Sequence, residues 1–153
     1  MGLAFLDILK YFIDLIFWNI YKILIKQNIF LFKLLFNFFI IKSKMVRAYT
    51  HNAIVKYEPE KDGKFALFDS NITGTFISFE QNKKIIMNWR NKRWPEGHYS
   101  ICTLEFTEKS DCSEIKLSHL SIPQAFLENT EEGWKRFYWN AIRQTFGFGS
   151  GLF

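Results

Sequence analysis

Turn signals recur about every ten residues between residues 45 and 120, and they constrain the fold more than any other feature of the sequence. Each signal separates two short segments that are rich in β-branched and aromatic residues. The signals lie at residues 60–63, 69–71, 81–83, 94–97 and 109–111. Short strands joined by turns at this spacing are typical of an antiparallel meander. We therefore predict one antiparallel sheet with one face buried and the other solvated.

The last hairpin of this sheet has a register that follows from its side chains. One alignment brings inward-facing residues together on a single face, in the pairs Phe106–Ile115, Leu104–Leu117 and Cys102–His119. The alternate residues, which are mostly polar, then point to the opposite face. Cys112 does not lie opposite Cys102 in this register, so no disulfide is expected. Two cysteines are also too few for a disulfide framework, and a reducing, cytoplasmic setting is expected.

A helix at the C-terminus is predicted to cover the buried face of the sheet. Its apolar stripe recurs at helical spacing and consists of Trp134, Phe137, Tyr138, Ala141, Ile142, Thr145 and Phe146. We expect Asn129 to cap the helix start together with Glu132, and Gly147 to end it. Gly133 indicates close packing in the first turn, because glycine costs up to ~1 kcal/mol relative to alanine in a helix. The predicted fold class is α+β, a sheet packed on a long C-terminal helix.

Residues 1–44 differ from the rest of the chain and consist almost wholly of Phe, Ile, Leu, Lys, Asn and Tyr. Three interpretations remain open: membrane contact, amphipathic helices lying on a membrane or on the domain, and a sequence introduced by a wrongly placed gene start. The longest uncharged apolar run, 34–41, is far shorter than the roughly 20 residues that span a bilayer. A signal peptide is disfavoured because there is no basic start and no small-residue cleavage site. Strong apolar content without turn signals predicts helix in this segment.

No group of residues in the sequence has the spacing of a catalytic or metal-binding motif. His51, His98 and His119 are scattered, and neither cysteine belongs to a nucleophile motif. The glycine-rich ending GFGSG follows a helix instead of opening one, so it does not form a phosphate-binding loop. We therefore expect a non-enzymatic protein with no catalytic residue, no cofactor and no metal site.

A basic cluster around Trp89 is the candidate binding site. It consists of Lys83, Lys84, Arg90, Lys92 and Arg93, and Trp94 follows it directly. The net charge of +5 also favours acidic partners. Two interpretations are open: a charged strand end that discourages edge pairing, and a docking patch for an acidic protein surface with Trp94 as its anchor. Nucleic acid is not expected as a partner, since the pattern lacks a recognised binding motif.

Several sequence blocks from residue 45 onward resemble one known family. They are AYTHNA at 48–53, GKFALFDSNITGTF at 63–76, MNWRNKRWPEGHYSICTLEF at 87–106, SIP at 121–123 and GWKRFYWNAIRQTFGFGSGLF at 133–153. The stretch from about Met45 to Phe153 is similar to the C-terminal domain of the activator of Hsp90 ATPase co-chaperones. This resemblance implies a START-like helix-grip fold, in which an antiparallel sheet wraps around a long C-terminal helix.

The resemblance also implies structural positions and a partner for the domain 45–153. Family motif positions, most of them expected to clamp the helix to the sheet, are Trp89, Trp94, Pro95, His98, Trp134, Tyr138, Phe146 and Gly147. By resemblance, the domain contacts the N-terminal ATPase domains of Hsp90 and favours their closed state. The family's domain opens with a strand and a helix that residues 3–44 do not resemble, so we expect the sheet to lack its first strand and to expose an edge.

The resemblance leaves the strength of the activity and two other functions open. The preceding activator domain of these co-chaperones is not found in the sequence, so we expect weak ATPase stimulation by this chain alone. One alternative function is a helix-grip module that holds an apolar small molecule between sheet and helix. A second alternative is a membrane-associated form of the domain that uses residues 1–44. A cavity behind Trp134 and Tyr138 distinguishes the small-molecule alternative from the others.

Overall fold

A computed structural model of the chain describes residues 20–25, 43–110 and 113–146, with side chains described for 43–110 and 114–145. Its strands are β1 Ile20–Ile25, β2 Ile54–Tyr57, β3 Lys64–Leu67, β4 Ile72–Glu80, β5 Lys84–Asn91, β6 Ser100–Glu108 and β7 Ser113–Leu120. They form one antiparallel sheet in the order β1-β7-β6-β5-β4-β3-β2, so strands β2 to β7 follow one another in chain order. The predicted meander and the predicted α+β class are therefore confirmed.

The register predicted for the β6–β7 hairpin is also confirmed. Phe106 pairs with Ile115, Leu104 pairs with Leu117 and Cys102 pairs with His119. All six side chains are buried. Period-2 alternation fixed this register, because a shift by one residue would turn every apolar side chain to the solvated face.

The strand Ile20–Ile25 corrects two expectations for the N-terminal segment. It is a strand and not a helix, and it pairs antiparallel with β7, from Ile20–Ser118 to Ile25–Ser113. A strand therefore lies beside β7, where a missing first strand and an open edge were expected. This pairing satisfies backbone N–H and C=O groups that β7 would otherwise expose. The other residues before Ser43, including what bears on the membrane and gene-start interpretations, lie outside the described residues, as do Cys112 and Gly147.

The core lies between the inward face of the sheet and two helices. The short helix α1, Ser43–Tyr49, contributes Val46 and Tyr49, and the C-terminal helix contributes Trp134, Tyr138 and Ile142. The sheet contributes Phe65, Leu67, Ile72, Phe76, Ile85, Met87, Trp89, Cys102, Leu104, Phe106, Ile115 and Leu117. In the described part of the chain, no helix is long and apolar enough to cross a bilayer.

Gly74 on β4 has a specific steric reason to be glycine. It pairs with Phe65 on β3 and with Trp89 on β5. A Cβ at this position would collide with the Phe65 ring and with the carbonyl oxygen of Asn88. The absent side chain lets the Phe65 ring lie across β4 and meet Phe76, with the ring centroids 5.0 Å apart. This close approach builds the aromatic part of the core next to β3.

The C-terminal helix, residues 124–146, is built from turns of different geometry. It comprises a 3-10 turn Gln124–Phe126, the α-helix α2 Leu127–Gly133, a π-helical segment Trp134–Asn140 and the α-helix α3 Ala141–Phe146. Asn129 therefore lies inside α2, and the prediction that it caps the helix is wrong. Pro123, at φ −60° and ψ 132°, is extended and lies directly before the first turn. Gly133 faces open space, so the expected close packing at that position is also wrong.

The π-helical segment determines which side chains face the sheet. Its hydrogen bonds span five residues and widen the turns beyond the 3.6 residues of an α-helix. Burial accordingly recurs at every fourth residue, at Trp134, Tyr138 and Ile142. Phe137, which an α-helical stripe would bury, is 48% exposed. Thr145 is exposed as well, so the predicted stripe is wrong at these two positions.

Candidate partner-binding site

Five buried rings from different parts of the fold form a cluster that we name the aromatic clasp. Its members are Trp89, Trp94, His119, Trp134 and Tyr138. Trp134 stacks on Tyr138 with centroids 4.0 Å apart and lies 6.1 Å from Trp89. His119 meets the Trp89 ring edge-on at 4.9 Å, and Trp94 lies 5.2 Å from Trp89. Such pairs contribute about 0.5–1.5 kcal/mol each beyond area burial, so the clasp fastens the C-terminal helix to β5 and β7.

A hydrogen-bond chain runs through the clasp and fixes the tautomer of His119. The indole Nε1–H of Trp134 donates to His119 Nδ1 at 3.2 Å, and an indole nitrogen can only donate. Nδ1 is therefore unprotonated, and the neutral ring carries its proton on Nε2. That nitrogen lies 2.5 Å from Ser100 Oγ and donates to it. Ser100 Oγ in turn donates to the carbonyl oxygen of Trp89 at 2.9 Å.

This chain holds the helix on the sheet and does not form a nucleophile. A catalytic histidine must accept the serine proton, whereas His119 Nε2 donates to Ser100 Oγ. Both residues are buried, at 0% exposure for Ser100 and 2% for His119. Burial also lowers the pKa of His119 from 6.5 to about 3, so the ring stays neutral at physiological pH. Among the described residues, no group of three His, Cys, Asp or Glu side chains could hold a metal ion.

Cys102 lies beside this chain on the inward face of β6. It pairs with His119 across the β6–β7 ladder and has 0% exposure. Burial raises the pKa of its thiol, so the thiol stays protonated. A buried, protonated thiol is a poor nucleophile, and Cys102 acts as a small apolar core residue.

The cavity behind Trp134 and Tyr138 is small. Its volume is about 30 Å³, and its lining includes Tyr49, Tyr57, Phe76, Trp89, Trp134 and Tyr138. Pockets for drug-sized ligands measure roughly 300–1,000 Å³. Burial, the main cause, raises the pKa of Tyr138. Neither Trp89 Nε1 nor Tyr138 Oη has a hydrogen bond of normal geometry within the described chain. The aromatic rings that fasten the helix therefore fill the space that an apolar ligand would need.

The structure does not bring the predicted basic cluster together. Lys83 and Lys84 lie at the start of β5, whereas Lys92 and Arg93 follow its end. A strand rises about 3.3 Å per residue, which separates these pairs by roughly 25 Å. Lys84 also forms an ion pair with Glu105 at 3.3 Å. These residues are close in sequence, but the extended strand places Lys83 and Lys84 at one end of β5 and Lys92 and Arg93 at the other.

Arg90 and Trp94 are both engaged within the fold. Arg90 Nη2 donates to the carbonyl oxygens of Trp94 at 2.9 Å and of Pro95 at 3.3 Å, and so holds the turn after β5. Trp94 is 3% exposed inside the aromatic clasp. It is therefore not available as the surface anchor that the sequence suggested. Lys92 and Arg93 remain exposed beside it.

The remaining family motif positions have different surroundings. Pro95 is exposed in the turn after β5. His98 is partly buried, and its Nε2 donates to the carbonyl oxygen of Ser121 at 2.7 Å while its ring meets Trp94 edge-on. Phe146 ends α3, and its side chain is outside the described part. His98 thus ties the β5–β6 turn to the residues that follow β7.

Sequence reasoning missed the structural role of Ser100 and His119. A signal was present, because the correctly predicted register places His119 opposite Cys102 and therefore on the inward face. A buried histidine needs hydrogen-bond partners on its ring nitrogens. One of those partners, Trp134, comes from the C-terminal helix, and the alternation pattern of the strands does not predict how that helix packs on the sheet.

The family described as "Activator of Hsp90 ATPase homolog 1-like protein" has a sequence model that matches residues 32–147, more than half of the chain. The chain belongs to this family. The human activator of 90 kDa heat shock protein ATPase homolog 1 is 41% identical over 110 residues, which cover 72% of this chain and 32% of the relative. The chain thus spans about a third of the length of this relative and of its two mouse counterparts.

Two solved structures share the architecture. The crystal structure of an HSP90 activator from Plasmodium falciparum has a TM-score of 0.76 at 25% identity and covers 85% of this chain and 96% of its own. The Aha1 dimer from Colwellia psychrerythraea has a TM-score of 0.67 at 12% identity, covering 85% of this chain and 97% of that chain. The helix-grip fold that the sequence resemblance implied is confirmed for this member of the family.

Proposed function

We propose that this chain is an Hsp90 co-chaperone module that binds the chaperone and promotes its ATPase-competent closed state. The observation that carries the proposal is the family match over residues 32–147 together with 41% identity to a human activator of the Hsp90 ATPase. The family resemblance supplies the contact with the N-terminal ATPase domains. In this proposal the module acts in the cytoplasm, the reducing compartment expected for a chain whose two cysteines are too few for a disulfide framework.

The module acts by binding and carries out no catalysis of its own. Ser100 and His119 are a hydroxyl–imidazole pair of the kind used in catalysis, but both are buried. His119 Nε2 donates its proton to Ser100 Oγ, so it cannot act as the base that activates the serine. Preferential binding to the closed state is sufficient for activation, because a ligand shifts an equilibrium by its differential affinity for the two states. The small-molecule alternative is not favoured, since the cavity of about 30 Å³ is too small for a typical ligand.

Binding of the full 153-residue chain to purified Hsp90 tests the proposal. Isothermal titration is carried out with and without a non-hydrolysable ATP analogue. We expect binding in both cases and at least threefold tighter binding with the analogue, because the analogue populates the closed state. We expect only a modest rise in the ATPase rate, since these residues match about a third of the human activator. A folded chain that binds Hsp90 in neither state would refute the proposal.

A further inference from the structure

The outward face of the π-helical segment carries an exposed aromatic ring, that of Phe137. Phe137 is 48% exposed, although it lies between the buried residues Trp134 and Tyr138. Its ring packs beside Phe68 at the edge of the described domain, with the ring centroids 5.8 Å apart. The guanidinium of Arg136 lies 5.3 Å from the centroid of the Phe137 ring, a cation–π geometry. A half-exposed phenylalanine ring with an adjacent arginine has the residue composition that is enriched in protein–protein interfaces.

The turn between β3 and β4 presents Phe68 to this ring in an unusual backbone conformation. Phe68, Asp69 and Ser70 have φ values of 53°, 53° and 62°, all in the left-handed region. L-residues are strained there, and glycine or asparagine is the usual occupant. The side-chain amide of Asn71 donates to the carbonyl oxygen of Phe68 at 2.6 Å and holds the turn closed. In this conformation the partly buried Phe68 ring meets the buried Tyr138 ring edge-on at 5.3 Å and lies 5.8 Å from the Phe137 ring, so the turn joins the exposed ring to the core.

Positive charges extend this aromatic pair along the surface. The backbone N–H of Lys92 donates to the carbonyl oxygen of Asn71 at 2.9 Å, which places residues 92 and 93 next to the strained turn. Lys92, Arg93 and Arg136 are exposed, and none of them forms a salt bridge with another described residue. We name this surface the rim strip, and its members are Phe68, Asp69, Lys92, Arg93, Arg136 and Phe137.

We propose that the rim strip is the surface with which this chain docks on Hsp90, against an acidic patch of the chaperone that contains an apolar pocket for the Phe137 ring. The inference rests on the proposed function and adds the contact surface to it. Charge complementarity selects the partner surface, because the strip carries three cations and one carboxylate without ion-pair partners in the described chain. Phe137 supplies the central apolar contact, and Lys92 and Arg93 supply the polar rim around it.

Two pairs of matched variants of the full chain test this surface by titration against Hsp90 with the ATP analogue. Lys92→Glu/Arg93→Glu reverses two charges of the rim strip, and Lys61→Glu/Lys83→Glu makes the same net change at the opposite end of the sheet. Phe137→Ala truncates the aromatic ring, and Leu120→Ala truncates a side chain that is similarly exposed, at 51%, on the outer face of β7. Circular dichroism and thermal melting confirm that each variant is folded.

We expect at least a tenfold loss of affinity for each rim-strip variant and less than a twofold loss for each control. The affinity of the wild-type chain falls with added salt, and this dependence is shallower for Lys92→Glu/Arg93→Glu, because fewer charges are then screened. Equal effects of the rim-strip variants and their controls, with normal wild-type binding, overturn the rim strip alone. Absence of wild-type binding overturns the proposed function and this inference with it. Binding to anionic lipid vesicles that is lost in Lys92→Glu/Arg93→Glu, without an effect on Hsp90, also overturns the inference.

Discussion

The C-terminal helix carries aromatic side chains on two faces, and the two faces have different roles. Trp134 and Tyr138 are buried in the aromatic clasp, whereas Phe137, between them in sequence, is half exposed in the rim strip. All three residues have large aromatic side chains. Their positions differ because the π-helical turns direct every fourth residue to the sheet. A run of aromatic residues in a sequence can therefore contain buried residues that stabilise the fold and exposed residues that can contact a partner. The helix geometry determines which residues are buried.

Replacing Trp134 with alanine should have the largest effect on the buried half. We expect Trp134→Ala to lower the free energy of unfolding by about 3–5 kcal/mol, since a buried indole is lost and a cavity remains. His119 Nδ1 also loses its hydrogen-bond donor. Urea denaturation followed by circular dichroism measures the change. Phe137→Ala, at the exposed position, should cost less than about 1 kcal/mol. Equal losses for the two variants would contradict the division of the helix into two faces.

Acid should weaken the buried half through His119. Its pKa is lowered from 6.5 in the unfolded chain to about 3 in the folded protein, because the ring is buried. The unfolded state therefore binds a proton below pH 6.5 that the folded state does not bind. The contribution of the neutral His119 ring to the free energy of unfolding is fully present above pH 6.5. It is lost progressively as the pH falls towards 3, and the loss is about 3 kcal/mol at pH 4.

Denaturation curves between pH 7 and pH 4 measure this loss, and His119→Gln provides the comparison. The variant lacks the titrating ring, so its stability should fall less steeply with acid than that of the wild type. The carboxylates contribute equally to both proteins and cancel in the difference. Parallel pH profiles would show that His119 does not titrate with a lowered pKa.

Removing the hydroxyl of Ser100 should have an intermediate effect. Ser100→Ala leaves the buried His119 Nε2–H without its acceptor, which costs about 1–3 kcal/mol. Ser118→Ala provides the control, because Ser118 is only partly buried and pairs with Thr103 on the neighbouring strand. Thermal melting of both variants distinguishes the hydrogen-bond chain from a general effect of losing a strand hydroxyl, which would lower the two melting temperatures equally.

The smallest expected effect is a gain of stability in the turn between β3 and β4, beside the rim strip. Ser70 has a φ of 62°, so Ser70→Gly should raise the free energy of unfolding by about 0.5–1 kcal/mol. Ser78→Gly, inside β4, should lower it by a similar amount, because glycine weakens a strand interior. Chemical denaturation of the two variants compares them. A loss of stability in Ser70→Gly would show that the turn is not strained in solution.

The sheet could be predicted from the sequence in detail, because its determinants are local. Turn residues and period-2 alternation gave the strands from β2 to β7, and alternation alone gave the Phe106–Ile115 register. The family resemblance added the helix-grip arrangement. β1 was missed because Ile20–Ile25 have no alternating pattern, and pairing with β7 decides their conformation.

The candidate site could be predicted only in part, because its geometry depends on tertiary packing. The motif tryptophans were expected to clamp helix to sheet, and Trp89 and Trp134 lie in the clasp. The basic cluster was assembled from residues close in sequence, which an extended strand holds apart. Phe137 was assigned to the core because an α-helical period was assumed, whereas π-helical turns cannot be recognised from hydrophobic spacing.

The buried thiol of Cys102 is a natural probe for local opening of this fold. The side chain is fully enclosed on the inward face of β6, so an alkylating reagent reaches it only when this part of the core opens. The rate of Cys102 alkylation, followed by mass spectrometry of the modified peptide, therefore measures how often this opening occurs under native conditions. A bound chaperone that presses on the outer face of the helix should make this opening rarer and slow the labelling, without touching the cysteine itself.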